Sequence, residues 1–183
     1  MKIAFTGTSS TGKTTTALHL DSSGGLSRLD LQLFRPPNTR RGLKKKVNEL
    51  SNDERLIFQR HRFHEKLNLE ANANGFLVER SFVDLLAYRY LIAPFPDKEE
   101  IDQHIRMSKD YSLHFFFPHG VIPYEEDGTR PDEDYSLDVS TQIQEIMNAN
   151  QIPYITLINP SLEARCEIIF EEILKLKNSE KKD

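Results

Sequence analysis

Short apolar runs alternate along the chain with longer segments of mixed polarity. Four of these runs are continuous and rich in Ile, Phe and Val, which is typical of strands that are buried on both faces. They are KIAFTG (2–7), GFLVER (75–80), SLHFFFP (112–118) and PYITLIN (153–159). A fifth run, SRLDLQLF (27–34), alternates apolar and polar residues and predicts a weaker strand at the edge of a sheet.

The segments between the runs have helical periodicity. Ser51 and Glu54 form a capping-box signature at the start of a helix that reaches about Asn72. Further helical patterns cover 84–92, 97–109, 136–149 and 161–176. Because strands alternate with helices, we predict an α/β fold whose five-stranded parallel sheet is covered on both faces and has the first strand in the middle. Functional residues are then expected just after the strands, at their carboxyl ends.

The segment GTSSTGKT at residues 7–14 matches the phosphate-loop pattern G-x-x-x-x-G-K-[ST], between a predicted strand and a predicted helix. The glycines let the backbone curl so that its amides point at phosphate oxygens, and the helix N-terminus adds a positive dipole end. Lys13 is expected to reach the β- and γ-phosphates, and the Thr14 hydroxyl to ligate Mg²⁺. The predicted nucleotide-binding residues are Gly7, Ser9, Ser10, Thr11, Gly12, Lys13, Thr14 and Thr15, with ATP and Mg²⁺ as cofactors.

A phosphate loop is compatible with a switch GTPase, a mechanical ATPase or a small-molecule kinase. A GTPase would need a guanine-reading N-K-x-D after a strand, and the sequence contains none. A motor or AAA-type machine usually needs more chain to couple its subunits. A chain of 183 residues, close to one domain of roughly 150, therefore favours a self-contained kinase.

A second group of polar residues follows the strand at 75–80. Glu79 is placed to hold a water on Mg²⁺ or to accept a proton from the acceptor hydroxyl, so it is predicted as both catalytic and metal-binding. Arg80 would orient the acceptor or neutralise developing charge. Asp84 and Tyr88 lie four residues apart on the next helix and share a face, which we expect to line the acceptor pocket.

GTSSTGKTT together with VERSFVDLLAYRY resembles the P-loop nucleoside and nucleotide kinases. An E-R-S segment follows the same strand in deoxyribonucleoside kinases, and thymidylate kinases have D-R there. With the later D-G-x-R at 127–130, the combination resembles more closely the group of ribosylnicotinamide kinase domains and small bacterial and phage AAA ATP-binding proteins. The resemblance implies a three-layer P-loop NTPase fold and phosphoryl transfer from ATP to a small nucleoside-like acceptor.

The polar segment 118–135, rich in Gly and Pro, is predicted to be a lid-like loop. In kinases of this type, such a loop closes over the nucleotide and supplies an arginine, here Arg130, to the transferring phosphoryl group. Six acids accompany Arg130, so the lid must turn them away from the phosphates or use them to bind metal. They are Glu125, Glu126, Asp127, Asp132, Glu133 and Asp134.

A basic cluster at 35–46 contains six of the 24 Lys and Arg residues and no acid. Its arginines Arg35 and Arg40 are predicted to bind an acceptor that already carries a phosphate. A polynucleotide 5'-end is the alternative acceptor. A third reading is a solvated surface helix. Asp30, on the predicted strand 27–34, is the alternative to Glu79 as the base.

Charge and cysteine content limit the remaining classes. The net charge of −4 argues against a protein that works wholly on nucleic acid, and no apolar stretch approaches the ~20 residues that a membrane span needs. The single cysteine, Cys166, fits a reducing compartment, so we expect a cytoplasmic protein. We predict one kinase domain over 1–176 and a flexible tail over 177–183. A non-catalytic ATP-binding regulator remains an alternative function.

Overall fold

Five parallel strands form the centre of the structure, a computed structural model that describes residues 1–35, 45, 49–126 and 132–180. The strands are β1 Lys2–Thr6, β2 Gln32–Phe34, β3 Phe76–Glu79, β4 Leu113–Phe116 and β5 Tyr154–Thr156. Their order in the sheet is β2-β3-β1-β4-β5, with every neighbouring pair parallel. The predicted α/β fold with the first strand in the middle is confirmed.

Seven helices are present in the described ranges. They are α1 Lys13–Ser22, α2 Gly25–Arg28, α3 Asn52–Glu70, α4 Phe82–Tyr90, α5 Lys98–Lys109, α6 Glu133–Ala149 and α7 Leu162–Glu180. The predicted capping box opens α3: the Ser51 hydroxyl accepts from the Glu54 amide, and the Glu54 carboxylate accepts from the Ser51 amide at 2.8 Å. Within these same ranges, no helix has the length and apolar character needed to cross a membrane.

The central strand β1 is buried because helices pack on both faces of the sheet. Ile3 and Phe5 belong to one apolar cluster, together with residues of α1 and α7. Ala4, between them in sequence, belongs to another cluster, which includes Phe63 of α3 and Phe82 of α4. Successive side chains of a strand point to opposite faces, so both faces must be apolar. This is why the strand appears in the sequence as an uninterrupted hydrophobic run.

The predicted strand 27–34 is wrong over its first half. Residues Gly25–Arg28 form the short helix α2, and β2 begins only at Gln32. Leu26 and Leu29 are both buried three residues apart, which is the spacing of one helical turn. The alternation of Leu29, Leu31 and Leu33 resembles a strand in the sequence, but its first members belong to this turn.

The predicted tail is also shorter than expected. Helix α7 continues through Glu180, and residues 181–183 lie outside the described part of the chain. The Lys177 ammonium donates to the Leu29 carbonyl at 2.8 Å and to the Asp30 carboxylate at 2.6 Å. These bonds attach the end of α7 to the turn before β2, so residues 177–180 are part of the folded domain.

A histidine lies in the core of the sheet. His114, on β4, is fully buried, and its ring meets the Tyr111 ring edge to face at 5.1 Å between centroids. Burial lowers the pKa of His114 to about 4, and the nearby Lys66 ammonium acts in the same direction while the Pro153 backbone opposes it. The imidazole is therefore neutral in the folded protein at neutral pH.

We expect the free energy of unfolding to fall as the pH is lowered from 6.5 towards 4. An unfolded histidine binds a proton near pH 6.5, whereas His114 in the folded protein does so only near pH 4, so acid favours the unfolded chain. The full loss is of the order of ~3 kcal/mol. Urea unfolding at pH 7.5 and pH 4.5 measures it in the wild type and in His114→Gln.

The glutamine variant should lose less stability between the two pH values than the wild type. His64→Gln is the matched control, because it makes the same substitution at an exposed position of α3. An equal loss of stability in the wild type and in His114→Gln would show that the buried His114 does not cause the loss of stability in acid.

Candidate nucleotide-binding site

The loop 7–12 joins β1 to α1 at the carboxyl edge of the sheet. Its backbone turns through left-handed conformations at Gly7, Ser10 and Gly12, with φ of 145°, 58° and 83°. The Gly12 carbonyl accepts from the Thr16 amide at 2.9 Å, which starts the helical hydrogen bonds of α1. The loop therefore has the strand–loop–helix context that the motif predicted.

Gly7 is the position where the loop comes closest to a neighbouring strand. A Cβ atom built on Gly7 would lie 2.4 Å from the Phe117 carbonyl oxygen, directly after β4. Real Cβ atoms do not approach an oxygen so closely, and φ of 145° also disfavours a side chain. Gly7 is thus required by both space and backbone conformation.

The Lys13 ammonium is buried against the same loop. It donates to the Thr8 carbonyl and, at 2.8 Å, to the Thr11 hydroxyl. The side chain is only slightly exposed, although it belongs to the first turn of α1. The cation is therefore held next to the backbone that the motif assigns to phosphate binding.

Thr14 and Glu79 meet at the mouth of the loop. The Thr14 hydroxyl donates to the Glu79 carboxylate at 2.6 Å, because β1 and β3 are neighbours and Phe5 is in register with Glu79. Both groups offer oxygen ligands, which Mg²⁺ prefers, and Mg²⁺ usually adds phosphate and water oxygens to one or two protein ligands. The pair fits the predicted magnesium site. The described residues contain no cluster of three or more His, Cys, Asp or Glu suited to a metal.

Arg80 connects the end of β3 to the loop. Its guanidinium donates to the Gly7 carbonyl at 3.3 Å and to the Tyr88 hydroxyl at 3.2 Å, and its own amide donates to the Phe5 carbonyl at 2.7 Å. Its backbone has φ of 72°, which is unusual for a residue with a side chain. The structure thus brings Arg80 and Tyr88 together beside the phosphate loop.

Asp84 has a different place from the one predicted. It is 0% exposed, so in this structure it does not line an open acceptor pocket. Its carboxylate accepts from the Gly7 amide at 2.8 Å, the Ser81 amide at 2.7 Å and the Ser81 hydroxyl at 3.1 Å. Asp84 therefore attaches the start of α4 to the phosphate loop. Its helical spacing correctly placed it near Tyr88 but could not reveal the buried donors around it.

The remaining predicted substrate residues are divided between the two edges of the sheet. Arg35 follows β2, and its Nε lies 3.3 Å from Glu79 Oε1, so it belongs to the site. Asp30 precedes β2, at the amino ends of the strands, and pairs with Lys177 there, so the structure does not bring it to the loop.

Arg40, Arg130 and residues 127–131 of the predicted lid lie outside the described part of the chain.

Two residues at the site were not identified from the sequence. Arg165, in α7, donates to the Pro160 carbonyl at 3.2 Å, and its Nη2 would lie 3.1 Å from a Cβ at Gly12. Lys66, in α3, donates to the Arg80 carbonyl at 2.6 Å. A basic residue on a long polar helix usually indicates a solvated face. The only available signal for Lys66 was its spacing of four from Glu70, which is also common in surface ion pairs.

Comparisons with known proteins agree with this geometry. A family model described as an AAA domain matches residues 2–165, so the chain belongs to this AAA-domain family. The match includes the phosphate loop and all five strands, and by itself it does not show a mechanical ATPase. A search of curated proteins found no match.

Several solved structures share the fold. Deoxyadenosine kinase from M. mycoides with the products dCMP and a flexible dCDP has a TM-score of 0.68 and 12% identity, over 96% of this chain and 100% of that one. The same kinase with dATP has a TM-score of 0.59 and 13% identity, over 94% and 99%. Thymidylate kinase from Candida albicans has a TM-score of 0.65 and 19% identity, over 97% and 92%. The fold is that of the P-loop nucleoside and nucleotide kinases.

Gly7→Ala should weaken ATP binding by at least about tenfold, equivalent to ~1.4 kcal/mol, because the new methyl group would displace the loop from the Phe117 carbonyl. Gly24→Ala is the matched control. Gly24 also has a left-handed φ, of 73°, but a Cβ there meets nothing within 4 Å, so only backbone strain is added. Calorimetric ATP titration measures both variants. Equal ATP affinity in the two would show that the close approach at Gly7 does not matter for binding.

Proposed function

We propose that the protein is an ATP-dependent phosphotransferase that transfers the γ-phosphoryl group to a nucleoside or nucleotide acceptor, with Mg²⁺. The observation that carries this proposal is the pairing of Thr14 and Glu79 at 2.6 Å, at the mouth of a loop that also holds Lys13. A hydroxyl in the first turn of α1 and a carboxylate at the end of β3 would hold a phosphate-bound metal beside a site for an acceptor.

Lys13 and the loop amides would bind the triphosphate. In the structure, the Lys13 ammonium donates to the Thr8 carbonyl and the Thr11 hydroxyl, and phosphate oxygens would take over from these acceptors. Phosphate is the stronger partner because an ionised acceptor makes shorter and stronger hydrogen bonds than a neutral one. Mg²⁺, held by Thr14 and Glu79, would neutralise part of the charge on the phosphates.

The acceptor side is formed by Glu79, Arg80 and Arg35. One Glu79 oxygen accepts from Thr14 on the metal side, and the other faces Arg35 at 3.3 Å. The second oxygen would receive the proton of an acceptor hydroxyl, while the Arg80 guanidinium would stabilise charge on the transferring group. Arg130 on the lid is proposed to complete this clamp. Phosphoryl transfer needs mainly positioning and electrostatic stabilisation, which these groups supply.

Arg35 favours an acceptor that already carries a phosphate. Its side chain is half exposed, and its ion pair with Glu79 would be exchanged for a phosphate of the incoming nucleotide. Arg40 and the rest of the basic cluster 35–46 would add to this binding. A polynucleotide 5'-end is the alternative acceptor for the same cluster, and a regulator that binds ATP without transfer is the alternative for the whole protein.

The similar structures support the same reaction class. The deoxyadenosine kinase structures contain dATP in one case and dCMP with dCDP in the other. A nucleotide donor and a nucleoside or nucleotide acceptor are therefore compatible with this fold. A cytoplasmic location belongs to this proposal and is supported by Cys166, a buried thiol without a disulfide.

The decisive experiment incubates the protein with Mg²⁺ and ATP labelled in the γ-phosphate. The acceptor panel contains nucleosides, nucleoside monophosphates, nicotinamide riboside and 5'-hydroxyl DNA ends. We expect transfer to a small acceptor with weak dependence on salt. Transfer to DNA ends that falls steeply with salt would favour the polynucleotide alternative. ATP binding without transfer to any acceptor would favour the regulator.

Glu79→Gln should lower kcat by about 10²- to 10⁴-fold, because the amide keeps an oxygen for Thr14 but loses the negative charge for the metal and the acceptor proton. The ATP dissociation constant measured without metal should change less than threefold. Glu99→Gln, an exposed position in the first turn of α5, is the control and should retain wild-type kcat. Full activity of Glu79→Gln would remove Glu79 from the mechanism.

A further inference from the structure

A buried group of charged and hydroxyl side chains lies behind the candidate site. The Lys66 ammonium, on α3, contacts the Glu70 carboxylate at 2.5 Å one helical turn later. The Tyr111 hydroxyl, just before β4, donates to both Glu70 oxygens at 2.9 and 3.0 Å. Lys66 and Glu70 side chains are each only 6% exposed. Their charged groups are in contact with each other and, through Lys66, with one neighbour at the candidate site.

The neighbour is the backbone of Arg80. The Lys66 ammonium donates to the Arg80 carbonyl oxygen at 2.6 Å, and the Arg80 amide donates to the Phe5 carbonyl at 2.7 Å. Both backbone groups of Arg80 are thus held, one by α3 and one by β1. Arg80 has φ of 72°, a conformation that costs an ordinary residue of the order of 1–2 kcal/mol unless its surroundings impose it.

The left-handed turn determines where the Arg80 side chain goes. Directly after β3 the chain turns so that the guanidinium lies beside the phosphate loop, within 3.3 Å of the Gly7 carbonyl and 3.2 Å of the Tyr88 hydroxyl. A residue that continued β3 in extended conformation would direct its side chain to one face of the sheet. The orientation of the guanidinium therefore depends on the left-handed backbone of Arg80, whose carbonyl accepts from Lys66.

We propose that Lys66, paired with a Glu70 carboxylate that accepts from Tyr111, is a positioning residue that holds Arg80 in the left-handed conformation required to aim its guanidinium at the transferring phosphoryl group. The functional part of this inference rests on the proposed phosphotransferase activity. The conformational part concerns the backbone of Arg80 and can be tested without any acceptor.

The environment of Lys66 is consistent with this role. Burial lowers the pKa of Lys66, and the charge and hydrogen bond of Glu70 oppose this shift. Burial also raises the pKa of Tyr111 well above its usual value, so its hydroxyl stays protonated and donates to Glu70. A buried ion pair alone is weak evidence for a stabilising role, since apolar residues often replace one without loss. What an apolar residue cannot replace is the hydrogen bond to the Arg80 carbonyl.

The test uses a double variant, Lys66→Met with Glu70→Gln. It removes the donor to Arg80 and leaves no unpaired buried charge, while the new amide still accepts from Tyr111. Lys177 provides a matched control. Like Lys66, it donates to a backbone carbonyl and pairs with a carboxylate. Its partners are Leu29 and Asp30, at the amino edge of the sheet. Lys177→Met therefore removes the same kind of contact far from the candidate site.

The first measurement is amide hydrogen exchange of ¹⁵N-labelled protein. We expect the Arg80 amide to exchange at least tenfold faster in the double variant than in the wild type, with the amides of β4 and β5 unchanged. In Lys177→Met the Arg80 amide should exchange at the wild-type rate. If the double variant does not fold, Tyr111→Phe removes only the hydroxyl on Glu70 and should accelerate Arg80 exchange about threefold. Unchanged Arg80 exchange, or equal acceleration throughout the sheet, overturns the proposal.

The second measurement is phosphoryl transfer at saturating ATP. The double variant should lose at least tenfold in kcat with less than a threefold change in the KM for ATP, and Lys177→Met should lose nothing. In an Arg80→Ala background, the double variant should cause less than a further twofold loss, because both changes act through one guanidinium. The positioning role is overturned if the double variant lowers kcat by the same factor with and without Arg80→Ala. It is also overturned if the double variant keeps wild-type kcat. Absence of transfer by the wild-type protein contradicts the proposed function alone, and hydrogen exchange then still decides the proposal about Lys66.

Discussion

The structure of the site depends on the contacts made by a single residue, Gly7. Its amide donates to Asp84, its carbonyl accepts from Arg80, and its α-carbon lies where a Cβ would meet the Phe117 carbonyl. Three different parts of the chain thus meet the phosphate loop at one residue. The buried carboxylate of Asp84 is satisfied by donors from both the loop and the start of α4, so neither part can move without leaving a buried charge unpaired.

This constraint explains why the charges of the site are balanced in the structure. Lys13 contacts oxygens of its own loop, Arg35 pairs with Glu79, and Arg80 lies 3.9 Å from Asp84. The acceptors of Lys13 are neutral oxygens, which are weaker partners than a phosphate group. In the proposed function, a phosphate would replace these neutral acceptors without a large movement of the backbone.

The likeness to deoxyadenosine and thymidylate kinases is a likeness of fold at 12–19% identity. The parallel sheet accounts for this, because it brings the ends of β1, β2 and β3 to one edge whatever the side chains are. In the proposed function, the donor binds to the loop between β1 and α1, whereas the acceptor contacts residues at the ends of β2 and β3. Arg35 and Arg80 are therefore the positions at which this chain would choose its acceptor, and Lys66 is the contact behind one of them.

Much of the fold follows from local pattern. The apolar runs predicted β1, β3 and β4 because each is largely buried between helices, and a similar run predicted β5, which is only partly buried at the edge of the sheet. The capping box predicted the start of α3 because its hydrogen bonds are local. The phosphate loop could also be predicted, since its glycines and its position between strand and helix are adjacent in sequence. The run 27–34 was misassigned because buried leucines at a helical turn mimic the alternation of a strand.

Tertiary structure alone decided which of the candidate residues meet. Asp84 is buried against the Gly7 amide, 77 residues away, and Asp30 is placed at the opposite edge of the sheet. The contact of Lys66 with the left-handed backbone of Arg80 forms where α3 packs beside β3. Hydrophobic periodicity encodes which face of an element is buried, but strand order and packing determine which donor lies within hydrogen-bond distance of which acceptor.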